Sequence, residues 1–226
     1  MFTDINLFPL FLSLKVATTA TVCTIIIGIP LAYYLSRTKS RFGDFLDTFL
    51  TLPIVLPPTV LGYYLLVLLG RQSTIGRFLE EQFGIMIVFT PTGAVIAATV
   101  VALPFMIKSA KAAFTDLNKD VIYAAQTLGR SDFMVFWTII IPLAWPGILA
   151  GVTLAFARAL GDFGATLMVA GSIPNETMTM PIAIYDALLA GNRSLANTLV
   201  FIMTCVSLII LYAINRLEKQ MVKGRA

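Results

Sequence analysis

The chain has 226 residues, of which 58% are hydrophobic and only 12% are charged, and its net charge is +4. In soluble domains about a quarter of the residues are charged, so this composition excludes an ordinary soluble protein and favours a membrane protein. The chain has no histidine, the usual acid/base group and metal ligand, so we expect no catalytic residue, metal site or cofactor.

Five uncharged stretches are long enough to cross a bilayer, whose core of about 30 Å needs about 20 helical residues. They predict an all-α polytopic membrane protein, in which one transmembrane domain at 10–217 contains about five transmembrane helices. The uncharged stretches are 16–36, 48–70, 82–107, 133–157 and 194–215, and the spans expected from them are 10–36, 46–70, 90–110, 137–158 and 195–216. The apolar stretch within residues 163–190 is too short to cross the bilayer. We expect this region to form either a half-helix or re-entrant segment, or an external segment.

Basic residues alternate strongly between the segments that connect these spans. Three alternate segments hold eleven of them, and the opposite segments hold three, Arg71, Arg77 and Arg193. Lysine and arginine in short loops remain in the cytoplasm. We therefore expect an external N-terminus and a cytoplasmic C-terminus. The eleven are Arg37, Lys39, Arg41, Lys108, Lys111, Lys119, Arg130, Arg216, Lys219, Lys223 and Arg225.

A pair of prolines, Pro57 and Pro58, lies inside the second predicted span. A proline removes a backbone donor and disfavours a helical residue before it. The pair predicts a bend, which is either a packing kink or part of a helix that curves around a transport pathway.

Residues 116–135 are too polar to cross the membrane at their start and too apolar for a solvated linker. The apolar residues Leu117, Val121, Ala124 and Leu128 recur at helical spacing, which predicts an amphipathic surface helix. Gly129 is expected to end this helix and Ser131 to cap the next one. We name the helix-turn-helix at 116–135 the elbow, and expect it on the cytoplasmic face.

The spacing within and after the elbow resembles the EAA motif of bacterial ABC-importer permeases. Ala124 and Ala125 are followed by Gly129, Ile139 and Pro142 at the intervals of that motif, while Tyr123 and Ile141 replace its glutamate and leucine. The resemblance implies a type I importer permease fold with a coupling helix that inserts into an ATPase subunit. The residues expected to make or support this coupling are Tyr123, Ala124, Ala125, Gly129, Ile139 and Pro142.

Two further segments, residues 52–66 and 156–166, look like segments of molybdate permeases, and the second is also similar to sulfate and thiosulfate permeases. The resemblance implies import of a tetrahedral oxyanion by alternating access, with molybdate favoured and tungstate, sulfate or thiosulfate as alternatives. It also implies a homodimer, two cytoplasmic ATPase subunits, an extracytoplasmic oxyanion-binding protein and a bacterial inner-membrane location. We expect no nucleic-acid partner. An alternative of another class is an ATP-independent channel or membrane scaffold.

Two charged residues lie at the end of the fourth predicted span, where the chain is otherwise apolar. Arg158 and Asp162 are four residues apart and share a helix face. They form either a mutually neutralising pair or part of a gate. The residues expected at a pathway or gate are Arg158, Gly161, Asp162, Gly164, Thr166, Pro57 and Pro58.

Overall fold

A computed structural model describes residues 6–223, and within this range it contains only helices and their connections. The helices are α1 (Phe8–Arg37), α2 (Arg41–Val55), α3 (Pro58–Leu69), α4 (Thr74–Phe83), α5 (Pro91–Thr115), α6 (Lys119–Thr127), α7 (Asp132–Val135), α8 (Ile141–Leu160), α9 (Gly164–Ala170), α10 (Met180–Leu189) and α11 (Arg193–Lys223). A π-helical turn, Phe136–Ile140, joins α7 to α8. The expected external N-terminus and the cytoplasmic charge at Arg225 lie outside the described residues.

Four helical runs of the described chain are long and apolar enough to cross a membrane. They are Phe8–Arg37, Pro91–Thr115, Asp132–Leu160 and Arg193–Ile214, and a fifth span is possible if α2 and α3 together count as one. The third of the expected spans, 90–110, corresponds to a helix that continues to Thr115 and so includes Lys111 as well as Lys108. The region 163–190 contains two short helices, α9 and α10, joined by residues 171–179.

The core forms where α5 packs between α1 and α8, through small side chains that allow the backbones to approach closely. Ala17 and Ala20 of α1 and Ala98 and Ala102 of α5 are fully buried. On α8, a Cβ atom at Gly147 would lie only 2.4 Å from the Cβ of Ala113. The Ser109 hydroxyl donates a hydrogen bond of 2.8 Å to the Gly147 carbonyl across the same contact. Small residues and interhelical hydrogen bonds are what drive helix association in a membrane, where lipid removes the hydrophobic driving force.

We expect Gly147→Val to lower the thermal stability of the isolated protein in detergent. Overpacking costs about 1–3 kcal/mol, and each kcal/mol shifts the Tm of a chain of this size by about 2–4 °C. The measurement is the loss of helical circular dichroism on heating. Leu154→Val, at an exposed site on the same helix, is the control. Equal melting temperatures for the two variants would show that the α5–α8 contact accommodates a valine side chain at position 147.

The second predicted span is not one straight helix. The axes of α2 and α3 are bent by 115° at Leu56 and Pro57, both of which have extended backbone. Pro57 disfavours a helical Leu56, and Pro58 starts α3 as its first residue. The expected bend is therefore a complete break.

One end of the molecule, which we name the basic end, gathers the elbow and several cationic side chains. The Tyr33 ring packs edge-on against Phe114 and Phe136, and the Arg37 guanidinium lies 5.1 Å from the Tyr33 ring centre. These contacts join the last turns of α1 and α5 to the π-helical turn. Beside them, the carboxylate of Asp47 accepts from both Lys108 and Lys111 at 3.1 Å, which ties α2 to α5.

Candidate functional site

The two sequence regions expected at a gate are in contact in the fold. A Cβ atom at Gly164, the first residue of α9, would lie 3.1 Å from Pro58 Cβ and 3.2 Å from the Thr59 backbone nitrogen. The Pro57–Pro58 break and residues 161–166 therefore meet where α3 begins. We name α3, α9 and the connecting residues 161–163 the gate unit.

The α3–α9 contact continues at Gly62, which the sequence analysis did not select. A Cβ atom there would lie 2.6 Å from Met168 Cβ and 3.0 Å from the Cα of Ala165. Ala165 and Val169 are fully buried against Leu61 of α3 and Val101 of α5. The sequence signal was available, because a glycine in an apolar span commonly marks a close helix contact. What it lacked was the identity of the partner helix.

Asp162 is the buried polar centre of the gate unit. Its Oδ2 accepts hydrogen bonds from the backbone N–H of Thr166 at 3.0 Å and from the Thr166 hydroxyl at 2.8 Å. Its Oδ1 lies 3.4 Å from Nη2 of Arg158, without a hydrogen bond to any described group. The side chain of Asp162 is only 1% exposed, whereas that of Arg158 is 27% exposed. Asp162 thus fixes the first turn of α9 through Thr166 and is also paired with Arg158, while Gly161 in the connection is exposed.

The other end of α9 is attached to the segment that precedes α5. The backbone N–H of Phe89 donates to the Val169 carbonyl at 2.9 Å. Phe89 has φ +60°, which is uncommon for a residue with a side chain. Its ring lies against Gly171, where a Cβ atom would be 3.0 Å from Phe89 Cδ1. The start of α9 is therefore held against α3, and its end against the segment before α5. Because α3 and α9 are in close contact, we expect the gate unit to move as one body.

The elbow has the helix-turn-helix form that its sequence predicts. Gly129 has φ +81° and follows α6, and the Ser131 hydroxyl accepts the N–H of Met134 at 3.4 Å. The amide of Gln126 donates to Oδ1 of Asp132 at 2.7 Å, so the two short helices are also joined across the turn. A residue with a Cβ at position 129 would be strained by its positive φ, because that conformation favours glycine.

The residues of α6 that face the protein's own core differ from the predicted apolar face. Ile122 and Ala125 are buried, whereas Val121, Ala124 and Leu128 are exposed, Leu128 by 84%. Half of the expected alanine pair is therefore covered by this chain, and Tyr123 is exposed beside it. Helical periodicity located an apolar stripe, but the fold packs the neighbouring stripe. We name the exposed residues Val121, Ala124 and Leu128 the elbow stripe.

Ile139 and Pro142 lie at the junction between the elbow and the membrane helix α8, and not on the exposed surface of the elbow. Both are half-buried, and Ile139 packs against the main core. Ile139 belongs to the π-helical turn that directly precedes α8, and Pro142 lies in the first turn of α8. Such turns are rare, and often occur at functional sites. These two residues therefore lie at the entry of the helix, whereas Tyr123, Ala124 and Gly129 are exposed on the elbow.

Comparison with known proteins identifies the family. Residues 24–223 match the binding-protein-dependent transport system inner membrane component family. The chain belongs to this family. Two relatives are the molybdenum transport system permease proteins ModB of Escherichia coli K12 and of Haemophilus influenzae. The first is 41% identical over 208 residues, covering 92% of this chain and 91% of the relative, and the second is 40% identical over 214 residues, covering 94% and 93%.

Solved structures of two importers have the same fold as this permease. An inward-facing MetNI methionine ABC transporter superimposes with a TM-score of 0.71 at 17% identity, covering 94% of each chain. A bacterial ABC transporter for the acidic polysaccharide alginate superimposes with a TM-score of 0.72 at 16% identity, covering 93% of this chain and 79% of that one. At these identities the likeness shows the fold alone.

These matches confirm several predictions made from the sequence. The chain is a multi-pass inner-membrane component with the all-α ABC importer permease fold. It is a transport subunit rather than an enzyme, and its family works with a separate binding protein. The roles of the individual gate and elbow residues stay predictions.

Proposed function

We propose that this chain is the membrane subunit of an ATP-driven importer that moves molybdate into the cytoplasm. The observation that carries the proposal is its 40–41% identity, over nearly the whole length, to two molybdenum transport system permeases. The fold supports it, because the elbow presents an uncovered apolar stripe for a partner at the end opposite α9. Residues 156–166, whose resemblance suggested sulfate or thiosulfate as alternatives, run from the end of α8 into α9, and residues 161–166 of this segment belong to the gate unit.

The working assembly is a homodimer with two ATPase subunits and one extracytoplasmic oxyanion-binding protein. Large apolar side chains are exposed on most helices of the isolated chain, and they supply surface for lipid and for a second copy. The elbow stripe is the proposed ATPase contact. Five spans enclose a pathway poorly on their own, which favours two copies around it.

The proposed orientation has the basic end in the cytoplasm and the C-terminus on the same side. It is supported by the contacts that gather Arg37, Lys108 and Lys111 with the elbow, because basic segments are retained inside. The N-terminus is then outside. The loop at Asn175, whose side chain accepts from Asn6 beside the start of α1, faces the binding protein.

The coupling mechanism follows from chain connectivity. A single helical run, Asp132–Leu160, begins in the elbow and ends one residue before the gate unit. At 1.5 Å per residue its 29 residues extend over about 44 Å. Movement of the elbow, when the ATPase subunits close, is transmitted along this run to Arg158 and Asp162. The gate unit then tilts as one body and opens the pathway to one side at a time.

The direct test is uptake of labelled molybdate into vesicles that contain the complete complex. We expect uptake that requires both ATP and loaded binding protein, is blocked by tungstate and is little affected by excess sulfate. Strong competition by sulfate would favour a sulfate or thiosulfate permease. Uptake at the same rate without ATP would favour the channel alternative and contradict the proposal.

A further inference from the structure

We infer that Arg158, in the last turn of α8 directly before the gate unit, is the anion contact, and that its guanidinium exchanges between Asp162 and the tetrahedral oxyanion during passage. This inference rests on the proposed function and adds a residue that contacts the substrate. It separates the two members of the pair: Asp162 positions α9, and Arg158 meets the anion.

Arg158 supplies the positive charge in this region of the protein. Arg158 is the only basic residue between Phe133 and Asn175, and α3 has no charged residue. Within the gate unit and the helix that leads to it, no other cation of this chain is available to a passing dianion. An unpaired dianion would lose its hydration in this apolar region without compensation.

The two carboxylate oxygens of Asp162 have different partners. Thr166 satisfies Oδ2 with two donors, and neither depends on Arg158. The Arg158 contact, 3.4 Å to Oδ1, is longer than the 2.7–2.9 Å or so of a charge-assisted hydrogen bond. Among the described residues Arg158 has no hydrogen-bond partner, so its five donors remain available. The guanidinium can therefore leave without releasing α9.

The guanidinium of Arg158 is more accessible than the carboxylate of Asp162. The carboxylate is almost completely covered, while the guanidinium is partly exposed. An approaching anion meets the cation at shorter range than the carboxylate behind it, so attraction exceeds repulsion. A planar guanidinium can donate to two oxygens of a tetrahedral oxyanion at once. Asp162 remains close enough to compete, which keeps the anion's stay short, as passage requires.

The first experiment compares the double variant Arg158→Gln/Asp162→Asn with wild type in vesicles that contain the full complex. The two substitutions remove both charges together, so no unpaired ion is left in the membrane, and an amide at 162 can still accept from Thr166. We expect ATP hydrolysis stimulated by loaded binding protein to stay within about twofold of wild type, while molybdate imported per ATP falls about tenfold or more, as for loss of a charged hydrogen bond. The single variant Arg158→Lys should import more molybdate per ATP than the double variant and less than wild type. Arg77→Gln, which removes one exposed charge elsewhere, should leave it unchanged.

An unchanged ratio of molybdate to ATP in the double variant would overturn the role of Arg158 and leave the proposed function intact. A wild-type complex that imports no molybdate would instead overturn the proposed function. A second measurement uses only the native complex, in case the variant does not assemble. Phenylglyoxal labelling of Arg158, followed by mass spectrometry, should slow in millimolar molybdate while labelling of Arg77 does not. Equal labelling of Arg158 with and without molybdate would also overturn the inference.

Discussion

Gly62→Val is expected to abolish molybdate import, although the substitution lies outside the polar centre of the gate unit. The added Cβ would stand 2.6 Å from Met168 Cβ and 3.0 Å from the Cα of Ala165. Ala165 presents backbone here, so no side-chain rotation relieves the contact. The helices α3 and α9 must separate, which costs about 1–3 kcal/mol and breaks the unit that we expect to move as one body.

Separation of α3 from α9 interrupts the mechanical connection while leaving the elbow intact. We therefore expect the Gly62→Val complex to assemble with its ATPase subunits and to hydrolyse ATP. Import per ATP should fall below detection, and Gly62→Ala should give an intermediate ratio because only the Cβ is added. The measurements are vesicle uptake and ATP hydrolysis on the same preparation.

Gly161→Ala is the matched control within the gate unit. A Cβ atom at this position would meet only the Ala157 carbonyl, at 3.5 Å, which is an ordinary contact. We expect near wild-type import. If Gly62→Val imported molybdate as well as Gly161→Ala does, then α3 and α9 would have to move independently, and a rigid gate unit would be ruled out.

Leu128→Asp is expected to prevent stable association with the ATPase subunits. Leu128 belongs to the elbow stripe, and 84% of its surface is uncovered in the isolated chain. Burial of a leucine at an interface contributes about 1.5–3 kcal/mol, and an aspartate at the same place adds the cost of burying a charge. The combined loss of about 3 kcal/mol or more corresponds to about a hundredfold weaker binding.

The measurement is the fraction of ATPase subunit that co-purifies with the permease, together with binding-protein-stimulated ATP hydrolysis. Thr127→Asp is the control, because it adds the same charge to the neighbouring exposed position outside the elbow stripe. It should retain most of the association. Equal effects of the two substitutions would mean that added charge disturbs the elbow in general, and would count against the stripe as the contact.

Substitutions at Ala124 and at Ala125 are expected to differ in a similar way, because one residue lies on the surface of the elbow and the other in the core. Ala125 is covered by the chain itself, whereas Ala124 lies in the elbow stripe. The EAA spacing treats both alanines alike, because a one-dimensional motif does not record which residues are covered. Periodicity likewise selected Leu117, Val121, Ala124 and Leu128 as one apolar face. In the fold Leu117 packs partly against the core, and the buried residues of α6 are Ile122 and Ala125.

The sequence by itself determined the class of protein, the approximate spans, the break at Pro57–Pro58 and the elbow with its turn at Gly129. These follow from local properties: apolar length against bilayer thickness, the missing N–H of proline and the glycine preference for positive φ. Family membership also followed, because the elbow motif is a matter of spacing along the chain.

Only the tertiary structure decided which distant segments work together. It placed Gly164 on Pro58 and Gly62 on Ala165, although about a hundred residues separate each pair. It also brought the Thr166 hydroxyl into a hydrogen bond with the Asp162 carboxylate, while Arg158 stayed partly exposed. The physical reason is that apolar helices in lipid have no strong preference for one neighbour over another. Close packing of small residues selects the partner, and that selection depends on the shapes of two surfaces at once.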